Sequence, residues 1–435
     1  MRRLLDDRSA TALTAGCAVG YKKHEEGTEA HGQIPATRPP TPLMRRLGLM
    51  AAVLAAALAL AAPAAAAPNN WTVVSNPVGV ASLSGVSCPT FFSCMAVGGQ
   101  GPGADAESWN GRAWSIVPTA VLPPETTGEG LSGVSCVSDR FCAALGLQST
   151  GGCVGPSCGE ALPETWNGRQ WSIVPDPDAR GYYARDVSCV TSRFCVSVGI
   201  FVRDGGTEEQ RIQSWNGTEW SFVPAPKPEP PCTGRTCFGK EETLKGVSCV
   251  STTFCVAVGW DDFLHGQFHN LVESWNGKEW SVVPSPNVPS PNGVETFTEL
   301  NGVSCVSANR CVAVGQAFSS TLVESWDGKE WSILESPNPE GSKTSKLNGV
   351  SCVRWGSCAA VGTDKTASGY QALVETSKGT KWSLAPSAKG AGAESELDRV
   401  SCAPVLFLWQ TCTAVGSTNN PEESPHSMVE SSGIF

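Results

Sequence analysis

Residues 300–334 read LNGVSCVSANRCVAVGQAFSSTLVESWDGKEWSIL. The stretch divides into four short runs, LNGVSC (300–305), RCVAVG (310–315), TLVESW (321–326) and EWSIL (330–334), named A, B, C and D below. Val, Ile, Trp and Cys alternate in them with a period of two, and Gly, Asn, Asp and Ser bound them, which is the pattern of strands. A helix needs at least about ten residues with apolar positions three and four apart. No such segment follows residue 67.

The unit recurs seven times. Its first cysteine is Cys88, Cys136, Cys189, Cys249, Cys305, Cys352 and Cys402, at intervals of 47 to 60 residues. Four strands repeated at roughly that period mark a propeller blade. The chain ends decide how the blades are joined. The seventh unit stops at its C run, MVESSG (428–433), and lacks a D strand. An orphan D run, WTVVSNP (71–77), precedes the first unit and matches WSVVPSP (280–286). A linear array has no reason to split a repeat across its termini, whereas a ring does, because closure removes exposed sheet edges. The sequence therefore predicts an all-β, seven-bladed β-propeller of four-stranded blades. Residues 70–76 should complete the blade built from 397–433 by pairing with the C run around Met428 to Ser431.

The segment from Met44 differs from the repeats. Arg45 and Arg46 precede an apolar run from Leu47 to Ala62, followed by the small residues Ala64 to Ala67. That order predicts a secretory signal peptide over 44–67. Its apolar run is shorter than the roughly 20 residues of a membrane span. Residues 1–43 have neither repeat nor hydrophobic period. The expectation is that translation starts at Met44, that 1–43 is an upstream misread or disordered segment, and that the mature propeller spans 68–435. Cleavage at Ala67 leaves 23 basic and 36 acidic residues, a formal charge of −13. That balance argues against nucleic acid as partner, and against a membrane once the signal is removed.

Eighteen cysteines follow the signal, an even number in an exported chain, so disulfides are expected. In six units the cysteines stand six apart: Cys88 and Cys94, Cys136 and Cys142, Cys189 and Cys195, Cys249 and Cys255, Cys305 and Cys311, and Cys352 and Cys358. The seventh unit stretches the pair to Cys402 and Cys412. Each pair brackets the A–B turn. Two further pairs, Cys153 with Cys158 and Cys232 with Cys237, lie outside the repeat and are expected to pin long loops. Nothing has the CxxC or Cys/His spacing of a zinc site. Trp pairs such as Trp275 and Trp280 flank Asn-Gly or Asp-Gly, a hairpin signal resting on residues that tolerate positive φ. Their repetition points to packing rather than to a ligand.

The split-blade closure and the S-W-[ND]-G-x-x-W turn resemble β-propellers of the Asp-box and kelch-like kind. The S-C-x5-C-x-A-V-G units resemble those of secreted bacterial repeat proteins. The resemblance covers residues 69–435 and implies the propeller fold and secretion.

Function is less legible. The chain has no H-E-x-x-H or phosphate loop, and no catalytic residue, metal or cofactor is assigned. A–B and C–D turns should share one face, and B–C and D–A loops the other. Length varies mainly in the latter, at 147–163, 200–212, 225–243, 260–271 and 285–299. Variable loops on a rigid scaffold carry function. The densest aromatic–polar cluster there is Trp260, Asp261, Asp262, Phe263, His265, Phe268 and His269, with Tyr182, Tyr183 and Arg203 as further candidates. These point to a monomeric, secreted, non-enzymatic binding or surface-interaction module for extracellular glycan or protein. The alternative is an extracellular glycan hydrolase or lyase.

Overall fold

The computed structural model describes residues 70–432, apart from 78, 100–103, 123, 125, 151–158, 204–207, 227–240, 263–267, 291–296, 388–393, 406–408 and 420–425, and apart from the side chains of 127–129 and 150. The leader, Phe263 and His265 lie outside the described residues. The described residues form twenty-eight strands in seven four-stranded antiparallel sheets, each in the order A-B-C-D. The A strands are Leu83–Thr90, Thr126–Ser138, Tyr182–Thr191, Glu241–Ser251, Thr298–Ser307, Thr344–Arg354 and Glu394–Val405, in blades 1 to 7. Consecutive A strands pack against one another, and the seventh packs against the first, so they line a central channel.

Closure occurs as the split repeat requires. Strand Trp71–Val73 lies antiparallel to His426–Ser432, with Trp71 opposite Ser432 and Val73 opposite Glu430. The N-terminal segment is stitched further by Val74 N–H to the Val429 carbonyl (2.8 Å) and Asn76 Nδ2 to Ser427 Oγ (2.6 Å).

The core consists of seven clusters, one at each blade interface, each holding one Trp from the start of a D strand. Trp171, for example, packs with Met95, Val97 and Ala106 of blade 1 and with Leu131, Val134 and Leu162 of blade 2. Trp71 fills the same position between blades 6 and 7, beside Val361, Val374 and Leu397. The other Trp of each pair has a different task. Its indole Nε1 donates to a carbonyl of the A–B turn in five blades, as Trp326 does to Ala308 (3.1 Å). Both Trp positions are therefore structural.

The Asn-Gly turn differs from the expected form. The D-strand Trp pairs directly with the C-strand Trp, leaving a four-residue loop. Only the Gly of that loop has positive φ, near +89° to +102°. Asn takes another role: Asn276 Oδ1 accepts from the N–H groups of Lys278 (2.9 Å) and Glu279 (3.1 Å), as an Asx turn does.

Among the described residues, seven of the nine expected disulfides are formed, each between an A and a B strand with Cα atoms 3.9 to 4.1 Å apart. Cys88 bonds Cys94, Cys136 bonds Cys142, Cys189 bonds Cys195 and Cys249 bonds Cys255. Cys305 bonds Cys311, Cys352 bonds Cys358, and in the lengthened hairpin of blade 7 Cys402 bonds Cys412. The other two expected pairs, Cys153 with Cys158 and Cys232 with Cys237, lie outside the described residues. Loops as short as the A–B turn contribute about 2 kcal/mol each on the chain-entropy account. The Ser before each first Cys links the blades. The Cys N–H of one blade donates to the Ser Oγ of the blade before it, at 2.9 to 3.0 Å, and all seven bonds are present, from Cys88 to Ser401 round to Cys402 to Ser351.

A β-bulge interrupts every A–B pairing at the variable residue of the L-x-G motif: Ser84, Ser132, Arg185, Lys245, Asn301, Asn348 and Asp398. A bulge re-aims a side chain, and here all seven side chains line the channel mouth. The bulge also brings the preceding carbonyl against the B strand. A Cβ on Gly315 would lie 1.9 Å from the Glu299 oxygen, so the A-V-G glycine has no substitute.

Ser304→Ala leaves the Cys352 N–H without its acceptor and is expected to lower stability by about 1–3 kcal/mol. Urea unfolding under non-reducing conditions checks this, and a midpoint equal to wild type would remove the serine ring from the account. Deleting residues 69–77 opens the ring and uncovers the edge of blade 7. It is expected to cause aggregation and a large fall in Tm, whereas solubility and Tm equal to wild type would contradict closure.

Candidate functional site

The channel opens on the B–C/D–A face into a hollow of about 650 Å³. Its inner wall is built from the bulge residues, and its outer wall from blades 3 to 5. Several bulge residues also tie adjacent blades. Asn301 Nδ2 donates to the Leu347 carbonyl (3.0 Å), Asn348 Nδ2 to Leu397 (2.9 Å) and Ser132 Oγ to Ala184 (2.7 Å). Lys245 bonds Glu299 (2.9 Å) and Asn301 Oδ1 (3.0 Å).

Two blades depart from the motif glycine. Blade 3 has Asp186 there, and blade 7 has Arg399. The Arg399 guanidinium reaches the Asn348 carbonyl of blade 6 (3.0 Å) and the Lys245 carbonyl of blade 4 (3.3 Å), so it crosses the channel and floors the hollow. Asp186 accepts from the N–H groups of Val187 and Val247, both at 2.9 Å. Burial raises its pKa, and the charge of Arg399 opposes that rise. Asp398 is pushed up to about 6 by burial and by neighbouring Glu396, against the pull of Arg399.

The candidate cluster is reordered by the structure. Trp260, Asp261, Asp262, Phe268 and His269 lie on strands rather than in a loop. Strands Phe254–Asp262 and Phe268–Trp275 continue the ladder, pairing Trp260 with Asn270, Asp261 with His269 and Asp262 with Phe268. The backbone groups of this long hairpin find partners in each other, so the pairing persists into the stretch expected to loop out. Trp260 and Phe268 meet edge to face at 4.8 Å, and both line the hollow. Phe297, which the sequence reading missed, is the third ring, 5.3 Å from Phe268. A parallel bridge between Phe268 and Phe297 holds it there. Thr298 supports it, its Oγ1 donating to Asn287 Oδ1 (2.7 Å) and the Phe268 carbonyl (3.3 Å). His269 Nδ1 lies 3.6 Å from Asp261 Oδ1.

The second group of candidates divides. Tyr182 is fully buried, with its hydroxyl 2.7 Å from Ser197 Oγ, so it is core and cannot contact a ligand. Tyr183 is half-buried. Arg203 is exposed, paired bidentately with Glu209 at 2.7 to 2.8 Å, and does not line the hollow. Among the described residues, no three His, Cys, Asp or Glu are grouped to hold a metal ion.

A second ring of polar groups is buried between blades. The C-strand Glu is Glu273 and Glu324 in V-E-S-W, Glu107 in A-E-S-W, Glu164 in P-E-T-W, Glu375 in V-E-T-S and Glu430 in V-E-S-S; blade 3 has Gln213. All seven are fully buried. Most tie down the segment after the preceding D strand: Glu324 accepts from Ser285 Oγ (2.6 Å) and Asn270 Nδ2 (2.7 Å), Glu375 from Ser336, and Glu430 from Ser387. Burial pushes Glu107, Glu324 and Glu375 up to about 7 and Glu273 to about 8. The folded chain thus holds protons that the unfolded chain releases from about pH 4.5 upward. Their contribution to stability is full below that value and is lost as pH rises through about 7 to 8.

Tm is therefore expected to fall between about pH 5 and about pH 8, and Glu273→Gln should flatten the fall. Calorimetry across that range checks it. A Tm that rises with pH, or a Glu273→Gln curve parallel to wild type, would refute the protonated ring.

No family model matches the sequence, and no curated protein matches it. Among solved structures, the chain is similar to that of U3-55K, with 12% identity and a TM-score of 0.51 over 84% of this chain and 100% of that one. It is also similar to YCF48 bound to D1 peptide (12% identity, TM-score 0.48, 85% and 98% covered). A further likeness is to the WD40 β-propeller domain of Doa1 (10% identity, TM-score 0.46, 84% and 97% covered). At such identities the likeness extends to the propeller fold.

Proposed function

We propose that the chain is a secreted, non-enzymatic binding module that takes a neutral oligosaccharide at the mouth of its central channel. The observation that carries this reading is the aromatic wall of Trp260, Phe268 and Phe297 beside the polar bulge residues in one hollow. A volume of about 650 Å³ falls in the range of small-ligand sites. Apolar ring surface suits the C–H faces of a sugar, and Thr243, Asn301, Asn348 and Ser132 supply donors and acceptors for hydroxyls. Arg185, Lys245 and Arg399 are balanced by Glu208, Glu299 and Asp398 around the same hollow, which favours an uncharged ligand. The signal-like segment and the disulfides support secretion, as does the resemblance of the S-C-x5-C-x-A-V-G units to secreted bacterial repeat proteins.

A glycan array on the mature protein, followed by calorimetric titration of the glycans that bind, tests the reading. Trp260→Ala and Phe268→Ala are each expected to weaken binding at least about tenfold, as truncation of a central aromatic contact does, with little change in Tm. Binding unaffected by either variant would move the site elsewhere. Hydrolysis or cleavage of a bound glycan would replace the binding module with an enzyme.

A further inference from the structure

The opposite face of the ring, formed by A–B and C–D turns, carries a patch with no role in the hollow. In blades 2 to 5 the A–B turns are polar or small at their tips: Asp139 and Arg140, Ser192 and Arg193, Thr252 and Thr253, Ala308 and Asn309. The hairpin therefore needs no apolar tip. Blades 6, 7 and 1 nevertheless expose Trp355 (37%), Trp409 (55%) and Phe92 (60%). These blades are consecutive because the ring closes through Trp71–Val73. The patch is continuous at the seam, where Phe91, Phe92 and Trp109 of blade 1 share a hollow of about 220 Å³ with Ala403, Val405 and Thr411 of blade 7. Blade 7 is also where the A–B hairpin is lengthened, its cysteines ten residues apart rather than six.

Charge is segregated on the same face. The A–B and C–D turns of blades 6, 7 and 1, with their flanking residues, carry Arg354, Lys378, Lys381 and Arg112. All four are exposed, and no carboxylate stands among the described residues of these turns. Arg310 of blade 5 lies beside them, its guanidinium 4.9 Å from the Trp355 ring. This cationic sector belongs to a chain whose formal charge is −10. Whole-chain charge argues against an anionic partner, but a Debye length of roughly 8 Å at physiological salt makes the local sector decisive.

We propose that this face docks on an anionic lipid bilayer, with Phe92, Trp355 and Trp409 entering the interface and the four basic side chains meeting the headgroups. Exposed aromatic tips flanked by Lys and Arg suit the membrane–water boundary. Phe92 and Trp355 stand on turns and Trp409 opens the strand that follows one, all on one side of the ring, which fits a planar partner better than a groove-bound strand. Each basic residue near an anionic surface contributes roughly a fivefold gain in partitioning. This orientation leaves the glycan-sized hollow facing away from the bilayer.

Flotation with vesicles of phosphatidylcholine alone, and of phosphatidylcholine with phosphatidylglycerol, tests the proposal on the secreted full chain. Wild type should float with the anionic vesicles, be released by high salt, and show a blue shift of Trp emission. The double variant Lys378→Glu with Lys381→Glu, and the double variant Phe92→Ser with Trp409→Ser, should each reduce partitioning at least about tenfold while leaving Tm unchanged. Failure to float with anionic vesicles overturns the proposal, as does equal flotation with both compositions. Retention on a soluble polyanion such as dextran sulfate that depends on the same residues, without flotation, would assign the patch to an acidic polymer instead.

Discussion

The hydrogen bond from each Cys N–H to the serine of the neighbouring blade is the constraint on which the rest of the structure depends. It fixes the height of one A strand against the next, and therefore the angle at which each blade meets its neighbour. Seven such bonds form one ring around the channel. The adjacent disulfide locks the A–B hairpin at the same level, so the donor and acceptor stand on a cross-linked unit. A single buried hydrogen bond contributes only about 1 kcal/mol net, but in a closed array each bond also sets the geometry for the next blade interface. The Trp beneath it then fills the space between blades, and the buried Glu ties down the connection outside the Trp.

That layering explains why each repeat is invariant in some positions and free in others. The Ser-Cys pair, the A-V-G glycine and the D-strand Trp each touch another blade or another strand at close range. The residue before the motif glycine sits on a bulge and faces the open channel, where polar side chains of different length fit and several reach a neighbouring blade. It is consequently Ser, Arg, Lys, Asn or Asp in different blades. Variation confined to one position of a fixed motif thus marks the lining of the hollow. Asp186 and Arg399 extend this rule to the glycine itself: where two blades give up the close approach of glycine, Asp186 bonds the next blade and Arg399 reaches across the channel.

The propeller, its closure and the A–B disulfide pairs were legible because they rest on periodicity and on counting strands at the two termini. Even the stretched pair of blade 7, Cys402 with Cys412, followed from its place in the repeat rather than from its spacing. The site was only half legible. Trp260 and Phe268 stood out as aromatic residues near a long connection, and both do line the hollow. Phe297 did not, because its place depends on a parallel bridge between blades that no local pattern announces. Tyr182 was indistinguishable from Tyr183 in sequence, yet one step along a strand turns a side chain to the other face. It went to the core, and Tyr183 did not. The bulge residues escaped notice for a related reason: a bulge breaks the alternation from which facing is read. The lesson of the Asn-Gly turn is similar, since the same dipeptide serves a four-residue Asx loop as readily as a two-residue hairpin.

Electrostatics divides the molecule into zones that the net charge conceals. Buried carboxylates between the blades hold protons near neutrality because burial disfavours their charged form, so part of the chain's formal negative charge is absent from the folded protein. The hollow is lined by three cationic residues, Arg185, Lys245 and Arg399, and three acidic ones, Glu208, Glu299 and Asp398. The turns of blades 6, 7 and 1 carry cations alone among their described residues. These zones follow from topology: carboxylates on C strands point between blades, bulge residues point into the channel, and turn residues point along the ring axis. A charge at each of these places answers to a different requirement, namely solvent exclusion, ligand polarity and long-range attraction. A partner inferred from formal charge summed over the whole chain averages over all three, and the folded ring separates them again.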